Sequence, residues 1–498
     1  MPLSLPIELD PDTSKPLFLR IARALIRDIE RGRLHPGDRL PGTRTLAKEL
    51  AVHRKTAVAA YDELALQGWI VLQPSRGACV SLSLPEPALR SSRASDPSST
   101  AAFGPPCASI PTEGIAPLVF TDGTPDPRLL PRAELSRAFR RALGSHAFLS
   151  PNGYGDPRGS LRLRAALAEW LADTRGLAVG PDDILLTRGS QMALFLAARA
   201  VAVPGDAIAV EDPGYPLAWA AFRAADIEII GVPVDSGGIS IDALSSLGRQ
   251  RENIRAVLVT PHHQYPTTTT LGAGRRLALL RLAVEHDWTV IEDDYDHEYR
   301  YEGRPVLPLA ATGPLDDRRS SIYLGSLSKL LAPGLRLGYA VANPDILQAM
   351  AAEREAIDRQ GDLPLEAAIA ELLQDGELRR HARKARNIYL ERRDALAALL
   401  LREFADVLSF DVPAGGLAIW ARVSPEVDAP AWAARAAERG LIVSPGVRFT
   451  LHAQRAPNAF RIGFATLGPE EAISAVRRLA DALPLARIGS QIRLDNNR

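Results

Sequence analysis

Cysteine is nearly absent from this sequence, since Cys79 and Cys107 are the only two among 498 residues. Two cysteines cannot form the disulfide framework of a small secreted domain. Long apolar runs are missing as well, because no stretch reaches the roughly 18 uninterrupted apolar residues of a membrane span. The opening residues, MPLSLPIELDPDTSK, lack the basic and apolar regions of a secretory signal. These absences predict a soluble protein of the reducing cytoplasm.

Net charge is missing too, because 59 Lys and Arg side chains match 59 Asp and Glu side chains. The charge of the whole chain therefore gives no reason to expect a polyanionic partner. The distribution is uneven, however, since residues 14–80 carry twelve basic and six acidic side chains, an excess of +6. A phosphate backbone would bind most readily at this basic end. The alternative is a solvated helix surface whose charges have no partner.

The length predicts two to four domains, at roughly 150 residues each. Residues 83–117 are rich in proline, serine and alanine and follow neither a helical nor a strand period. Such a composition is typical of a linker. We therefore divide the chain into residues 1–82, a linker at 83–117 and residues 118–498.

The third segment alternates short β-branched runs with longer helical patterns. Strands separated by helices predict an α/β fold with a mostly parallel sheet, helices on both faces and a ligand site at the strand ends. The predicted strands are 183–187, 207–211, 256–260, 289–293, 322–326 and 337–342.

The basic end predicts three helices. The first spans 17–31, where apolar residues recur every four positions at Leu17, Ile21, Leu25 and Ile29. Thr43 is expected to cap a second helix over 44–50, and a third helix runs from about 54 to 67. The expected inward side chains of the third helix are those of Val58, Tyr61, Leu64 and Ala65. Short helices joined by a tight turn indicate a helix-turn-helix, in which the third helix enters the DNA major groove.

A β-hairpin is predicted after the third helix, because apolar residues at 69–72 and 78–80 flank the turn QPSRG at 73–77. This hairpin forms a wing with Arg76 at its tip. The N-terminal side chains of the third helix can reach phosphates or base edges. The candidate DNA-binding residues are Arg44, Arg54, Lys55, Thr56 and Arg76.

The stretch LPGTRTLAKELAVHRKTAVAAYDELALQGWIVLQPSRGACV, residues 40–80, resembles the winged helix-turn-helix of GntR-family transcription regulators. The resemblance implies double-stranded DNA as a partner. One departure is Gly42, where that family more often has serine, which weakens the hydroxyl contact expected at the start of the second helix. A protein-interaction module is the alternative use of a winged helix, but the arginines on the DNA face disfavour it.

A lysine follows the predicted strand 322–326, in the sequence YLGSLSK that ends at Lys329. A partly desolvated lysine has a lowered pKa, so its amine can form a Schiff base with an aldehyde cofactor. Ser326, Ser328 and Arg336 can surround a phosphate, which the guanidinium fork matches geometrically. An exposed loop lysine is the alternative for an arbitrary Ser-x-Ser-Lys.

Acidic residues end another predicted strand, in the sequence EDDYD at 292–296. A carboxylate there can pair with a protonated pyridine nitrogen, and a nearby phenol can bond the ring hydroxyl. We assign these two roles to Asp293 and Tyr295. A metal site is the alternative use of an acidic cluster, but no run of histidines or carboxylates elsewhere supplies a second half, so no metal is expected.

Two turns at strand ends add candidate contacts to the same ligand. The turn at 187–191 joins a strand to a helix, and the backbone N–H groups of a helix N-terminus bind anions, so Ser190 and Gln191 are assigned to a phosphate. A simple helix cap is the alternative. Tyr215 follows the next strand and could stack on an aromatic ring, with core packing as its alternative.

These motifs together resemble the fold-type I aminotransferases, which use pyridoxal 5'-phosphate, over roughly residues 119–485. They follow the order of that family: Tyr154–Gly159, Gly189–Gln191, Tyr215, Pro266, Asp293, Lys329, Arg336 and Arg461. The resemblance implies a cofactor bound covalently to Lys329, with Asp293 on its pyridine nitrogen and Arg461 on the carboxylate of an amino-acid ligand. It also implies a smaller C-terminal subdomain and a homodimer.

One stretch departs from the aminotransferase pattern. The sequence TPHHQYPT at 260–267 has Tyr265 before its proline, where aminotransferases usually carry Asn-Pro-Thr-Gly. The missing Asn normally contacts the ring hydroxyl. Its absence predicts cofactor binding without efficient transamination.

The order of the two domains resembles that of MocR-type regulators, in which a GntR-like reader is joined to an aminotransferase-like domain. In such a protein the cofactor, or an amino compound reacting with it at Lys329, shifts DNA affinity through a coupling free energy of about 1–3 kcal/mol. Two alternatives stay open: an active aminotransferase with a DNA-binding appendage, and a large domain that serves only as a dimerisation scaffold.

Overall fold

The chain divides into two compact units, Met1–Pro111 and Thr112–Arg498. The structure, a computed structural model, describes residues 16–66, 68–73, 77–82, 117–145, 148, 154–303, 306–311 and 321–484. The predicted linker at 83–117 lies outside the described residues except for Pro117, and so does Arg76. Its role as a linker therefore stays a prediction.

The first unit has the predicted order of three helices and a hairpin. Its elements are α1 (Leu17–Glu30), α2 (Thr43–Glu49), α3 (Arg54–Leu66), β1 (Ile70–Gln73) and β2 (Gly77–Val80). β1 and β2 pair antiparallel, with Ile70 opposite Val80. The core is built mainly from one face of α1 and α3, including the fully buried Ile21, Leu25 and Leu64.

Two details of this unit differ from the sequence prediction. Thr43 does not cap α2, because it is the first helical residue and Gly42 is the N-cap, without a side-chain hydrogen bond. The buried face of α3 includes Ala57 and Ala60, whereas Val58 is only half-buried. Ala57 and Ala60 belong to the core cluster that also contains residues of α1, and Val58 does not.

The second unit is an α/β structure with a further small sheet. Its strands are β3 (Leu118–Val119), β4 (Ile184–Thr187), β5 (Ala207–Asp212), β6 (Glu228–Asp235), β7 (Gly238–Ile239), β8 (Ile254–Val259), β9 (Thr289–Asp294), β10 (Ser321–Ser326), β11 (Gly338–Val341), β12 (Leu408–Ser409), β13 (Ala418–Val423), β14 (Leu441–Ile442), β15 (Ser444–Pro445) and β16 (Ala459–Gly463). Its α-helices are α4 (Arg132–Leu143), α5 (Leu161–Arg175), α6 (Ser190–Val201), α7 (Pro216–Ala224), α8 (Ile241–Gln250), α9 (Ala273–Glu285), α10 (Pro344–Ile357), α11 (Leu363–Gln374), α12 (Glu377–Phe404), α13 (Ala429–Glu438) and α14 (Pro469–Asp481).

The central sheet confirms the predicted mostly parallel fold. Its strand order is β4-β11-β10-β9-β8-β5-β6-β7, in which β11 and β7 run antiparallel to their neighbours. Alternate residues of β5 enter different cores: Ile208 and Val210 pack on one face, Ala207 and Ala209 on the other. A strand buried on both faces needs a continuous apolar run, and β5 begins with such a run, AIAV.

The direction of these strands positions the site. β4, β5, β8, β9 and β10 all end at the same edge of the sheet. Residues that follow these strands are therefore neighbours in space, although they are far apart in the sequence.

The second sheet has the antiparallel order β12-β13-β16-β15 and forms the predicted C-terminal subdomain. Its core includes the buried Trp432, Phe460 and Leu479. β3, which follows the linker, pairs parallel with β14 and so ties the start of this unit to its C-terminal part. Within the described residues, no helix combines the length and apolar character that a membrane crossing requires.

Candidate functional site

The predicted lysine lies at the carboxyl edge of the central sheet. Lys329 follows β10, is half-buried, and donates a hydrogen bond from Nζ to the carbonyl of Gly123, at 2.8 Å. Burial, with the nearby charge of Arg461, lowers the pKa of Lys329 to about 8. About one amine in ten is then unprotonated at pH 7, against roughly one in a few thousand for an ordinary lysine. Lys329 can therefore act as a nucleophile near neutral pH.

Asp293 is the second-last residue of β9, and Tyr295 follows the strand directly. Asp293 is only 3% exposed, and its Oδ1 has no hydrogen-bond partner among the described residues. Burial, and then Asp294, raise the pKa of Asp293 to about 7. The Tyr295 hydroxyl donates to the carbonyl of His263 at 2.8 Å. A buried carboxylate without a partner is available to a cationic ligand group.

Tyr215 belongs to an aromatic cluster that is centred on Tyr265. The ring centroid of Tyr265 lies 5.0 Å from that of Tyr215 and 6.0 Å from that of Tyr295, edge to face in both cases. The guanidinium carbon of Arg461 lies 4.3 Å from the same centroid. Burial raises the pKa values of Tyr215 and Tyr265, so both hydroxyls stay protonated. The cluster joins three of the predicted site residues, with Tyr265 as the contact between them.

A turn at Gly189 joins β4 to α6. Gly189 has a φ of +78°, and a Cβ there would lie 2.9 Å from Nη2 of Arg336, so only glycine fits. Arg336 is exposed and donates from Nη2 to the carbonyl of Arg188 at 3.0 Å. It thereby reaches the start of α6, where Ser190 and Gln191 carry the first N–H groups of the helix. A guanidinium beside a helix N-terminus can bind an anion.

The two serines of the lysine motif lie at the same sheet edge. Ser326 is opposite Gly338 on β11, and Gly338 is opposite Thr187 at the end of β4. The Ser326 hydroxyl accepts a hydrogen bond from the Ser328 backbone N–H at 3.2 Å. The buried hydroxyl of Ser328 has no partner among the described residues, so it is free to donate to a ligand.

Arg461 enters the site from the second sheet. It lies on β16, is 1% exposed, and donates from Nη1 to the carbonyl of Pro266 at 2.6 Å. Its Nε lies 3.5 Å from the carbonyl of Asp122. The positive charge of this guanidinium helps to lower the pKa of Lys329. The structure thus brings Arg461 and Lys329 to one site.

Two buried polar pairs support the loop at 260–267, and sequence reasoning missed both. His263 Nδ1 lies 2.7 Å from a carboxylate oxygen of Asp296. Glu211, at the end of β5, accepts from the Thr260 hydroxyl at 2.6 Å, and burial raises the pKa of Glu211 to about 7. Acidic residues at strand ends were visible in the sequence, but nothing in it indicated their partners.

A third group, His262, Asp294 and His297, was also missed. One ligand atom from each lies within 4.8 Å of the others. Burial lowers the pKa of His262 to about 4. Burial alone would raise the pKa of Asp294, yet His262 and His297 hold it well below its ordinary value. The two histidines belong to different loops, so a search for a run of metal ligands could not find them.

The described DNA-binding candidates lie on α2 and α3 and are Arg44, Arg54, Lys55 and Thr56. The three cations are exposed and form no ion pair with a described residue, and Thr56 is half-buried. The Tyr61 hydroxyl donates to the carbonyl of Pro41 at 2.7 Å, which ties α3 to the segment before α2. Arg76 lies outside the described residues.

Comparison with protein families matches both units. Residues 17–80 match the bacterial regulatory proteins of the gntR family. Residues 126–479 match the aminotransferases of class I and II, whose members depend on pyridoxal phosphate. The family match to the second domain covers more than half of the chain.

Individual relatives have the same architecture. The chain is 32% identical over 500 residues to the probable rhizopine catabolism regulatory protein MocR of Rhizobium meliloti, covering 96% of this chain and 98% of the relative. It is 34% identical over 389 residues to the pyridoxine biosynthesis transcriptional regulator PdxR of Corynebacterium glutamicum, covering 78% and 80%.

A solved enzyme structure is similar to the second unit. LysN, the α-aminoadipate aminotransferase of Thermus thermophilus complexed with N-(5'-phosphopyridoxyl)-L-leucine, has a TM-score of 0.66 and 31% identity. The match covers 74% of this chain and 92% of that one. The LysN match supports the assignment of the second unit, and the match to MocR extends over both units. The chain belongs to the MocR-type regulators, DNA-binding proteins in which a gntR-family domain precedes an aminotransferase-like domain.

Proposed function

We propose that this regulator binds pyridoxal 5'-phosphate at Lys329, and that an amine or amino acid reacting there changes its affinity for double-stranded DNA. The observation that carries the proposal is the pairing of Lys329, whose pKa is lowered to about 8, with the buried and unpartnered Asp293. Both lie at the carboxyl edge of one sheet, and each affects the pKa of the other. Because its partner is chromosomal DNA, we also infer a cytoplasmic location.

The phosphate of the cofactor would be held at the start of α6. Ser190 and Gln191 offer backbone N–H groups there, and Arg336 reaches the same turn. Ser326 and Ser328 follow β10 at the same sheet edge, and the Ser328 hydroxyl lacks a partner among the described residues. A helix N-terminus, a guanidinium and hydroxyl donors suit a doubly charged phosphate.

The ring of the cofactor would contact three other residues. When bound, pyridoxal phosphate supplies an aldehyde that condenses with amines and a ring that withdraws electrons. Asp293 would keep the pyridine nitrogen protonated, because its buried carboxylate is stabilised by a positive charge. Tyr295 would bond the ring hydroxyl, and Tyr215 would stack on the ring.

The effector would be recognised by Arg461. Its guanidinium is buried and charged, and it donates to the carbonyls of Pro266 and Asp122. A bidentate guanidinium matches a carboxylate better than any other side chain. We therefore expect an amino acid, rather than a simple amine, to produce the larger response.

Covalent binding is tested with two lysine variants. Lys329→Ala should lose the visible absorbance of the attached cofactor and the mass increment that remains after borohydride reduction, because only an amine forms that bond. Lys384→Ala is the matched control, since Lys384 is an exposed lysine on α12. If Lys329→Ala keeps the mass increment, Lys329 is not the point of attachment and the proposal is wrong.

The regulatory part is tested by titrating DNA. Affinity for a DNA fragment selected in vitro is measured with no addition, with pyridoxal phosphate, and with the cofactor plus each amino acid in turn. Arg461→Lys keeps the charge but loses the bidentate fork, and so should lose the amino-acid response. Arg422→Lys, on the adjacent strand β13 with a side chain 55% exposed, should keep it. If the cofactor alone is the signal, Arg461→Lys responds normally and Lys329→Ala does not.

Two other outcomes would change the assignment. Sustained turnover of an amino acid and a keto acid would identify an active aminotransferase, which the similarity to LysN favours and the absence of Asn at 260–267 disfavours. A DNA affinity that no cofactor or amino compound alters would leave the second unit as a dimerisation scaffold.

A further inference from the structure

We propose that His262, Asp294 and His297 form a binding site for one divalent transition-metal ion, with Zn²⁺ as the expected occupant. The three residues lie behind the cofactor residues, since Asp294 alternates with Asp293 along β9. The proposal does not depend on cofactor binding. It rests on distances, tautomers, unpartnered atoms and an adjoining cavity.

The spacing of the three ligand atoms suits a metal ion. His262 Nδ1 lies 3.5 Å from Asp294 Oδ1, and His297 Nδ1 lies 2.9 Å from Asp294 Oδ2. Bonds of about 2.0–2.2 Å from Zn²⁺ to nitrogen and oxygen put neighbouring ligand atoms roughly 3.3–3.6 Å apart in a tetrahedral site. Small side-chain rotations would therefore bring all three atoms to ligand distance.

Backbone hydrogen bonds orient both rings toward Asp294. His262 Nε2 lies 2.7 Å from the carbonyl of Val306, and His297 Nε2 lies 3.3 Å from the carbonyl of Thr174. A carbonyl only accepts, so each Nε2 carries a hydrogen, and in a neutral ring the Nδ1 lone pair points toward the carboxylate. Histidines that ligate metals generally hold their outer nitrogen in this way.

The inner atoms have no partner to satisfy them. His262 Nδ1, His297 Nδ1 and Asp294 Oδ1 are buried without a hydrogen-bond partner among the described residues, and His262 is 96% buried. A proton on His297 could pair it with Asp294 Oδ2. His262 Nδ1 and Asp294 Oδ1 would still face each other as two acceptors, which is unfavourable in a buried site. A cation between them removes that cost.

The surrounding charges allow a dication. Arg175 lies close to the cluster, with Nε 3.9 Å from Asp294 Oδ2, but its Nη2 lies 2.5 Å from Glu298, which balances it. The Tyr323 hydroxyl donates to Asp294 Oδ2 at 2.6 Å and so leaves Oδ1 for the ion. The carboxyl group of Glu292 lies 3.9 Å from His262 Nδ1, and its two oxygens accept the backbone N–H groups of Leu309 and Ala310.

A cavity adjoins the two histidines. This cavity of about 470 Å³ is lined by His262 and His297 together with Arg300, Arg383 and Arg386. Three protein ligands and one open position are the arrangement of a site that accepts water or an exogenous ligand. The arginines indicate that such a ligand would be anionic.

The test uses glutamine in place of each histidine, in the full chain without a histidine tag. The glutamine amide can keep the outer hydrogen bond to Val306 or Thr174, but it lacks an atom at the Nδ1 position. His381→Gln is the matched control, since His381 is buried, bonds the carbonyl of Leu330 at 2.8 Å, and lies outside the cluster. Bound Zn²⁺ is measured by mass spectrometry after dialysis, and its affinity by competition with a chromophoric chelator.

Wild type and His381→Gln should bind one Zn²⁺ per chain, and His262→Gln and His297→Gln should bind it at least tenfold more weakly. Equal Zn²⁺ affinity in all four proteins, or no uptake by wild type, overturns the proposal. If both variants fail to fold, Co²⁺ added to wild type decides, because four-coordinate cobalt absorbs strongly in the visible range and the aqua ion does not. Lys329→Ala should keep Zn²⁺ while losing the cofactor, so this failure and that of the proposed function are distinguishable.

Discussion

At the scale of single residues, the chemistry of Lys329 is set by where its amine lies. The side chain is half-buried, and its Nζ donates to the neutral carbonyl of Gly123. Burial first, and Arg461 second, make the charged form unfavourable and lower the pKa to about 8. A lysine in an exposed loop would not have its pKa lowered by burial, because water stabilises the ammonium ion there.

This environment predicts how cofactor attachment depends on pH. Only the neutral amine attacks, so the rate of attachment to apoprotein should rise with pH, with a midpoint near 8. Arg461→Met removes the second cause of the lowered pKa, so its midpoint should move upward, while Arg422→Met should leave it in place. Stopped-flow absorbance over a pH series measures both midpoints. A wild-type midpoint near 10 would contradict this account.

Single residues also mark the limit of prediction from sequence. Lys329, Asp293 and Arg461 could be singled out because each occurs in a recognisable local motif. Tyr265, at the centre of the aromatic cluster, and His263, beside Asp296, gain their roles from contacts between distant segments. Spacing along the chain does not encode such contacts, so the sequence left them unassigned.

At the scale of elements, the turn from β4 to α6 depends on the backbone of one glycine. Gly189→Ala should weaken the equilibrium affinity for pyridoxal phosphate at least tenfold, because the methyl group displaces Arg336. Gly205→Ala is the control, since Gly205 also has a positive φ, +99°, but a Cβ there would meet nothing within 4 Å. Both changes put a side chain at a positive φ, which strains the backbone by on the order of 1–3 kcal/mol.

Fluorescence titration of the cofactor, with a thermal melt of each variant, separates strain from displacement. Equal melting temperatures with unequal affinities are expected. Equal losses of cofactor affinity in the two variants would show that backbone strain, and not Arg336, is responsible.

The elements of the first unit make a prediction about DNA. Arg54 is exposed at the start of α3, so Arg54→Ala should weaken binding and lower the slope of log affinity against log salt by about 1. Arg23→Ala removes the same charge from the exposed side of α1 and should change the slope less. Anisotropy titrations over a salt series measure both slopes. If the slope of log affinity against log salt is equal in the two variants, the DNA-binding surface does not include the start of α3.

Some strands and helices could be predicted from their sequences more accurately than others. The six predicted strands all exist, because strands buried on both faces need long apolar runs. β6 was missed, since it is largely half-exposed and its sequence EIIGVPVD contains glycine and proline. The start of α2 was placed one residue late because threonine is a common N-cap, whereas Gly42 holds that position here.

At the scale of the whole molecule, we expect a homodimer that binds two DNA half-sites. Fold-type I sites are usually built at a subunit interface, and two tethered readers gain affinity through effective concentration. Light scattering of the cofactor-loaded protein at micromolar concentration should give twice the chain mass of 53.7 kDa. A single-chain mass under these conditions would contradict the expectation.

The backbone just after β3 lies close to the amine of Lys329, and β3 is the first described strand after the segment that we predict to be a linker. β3, the first strand after the linker, is fixed by its pairing with β14. Just beyond it, the carbonyls of Asp122 and Gly123 face Nε of Arg461 and Nζ of Lys329. Any change that occupies Nζ releases one of the bonds that hold this segment. The chemistry of the amine therefore acts on backbone that lies only a few residues beyond β3.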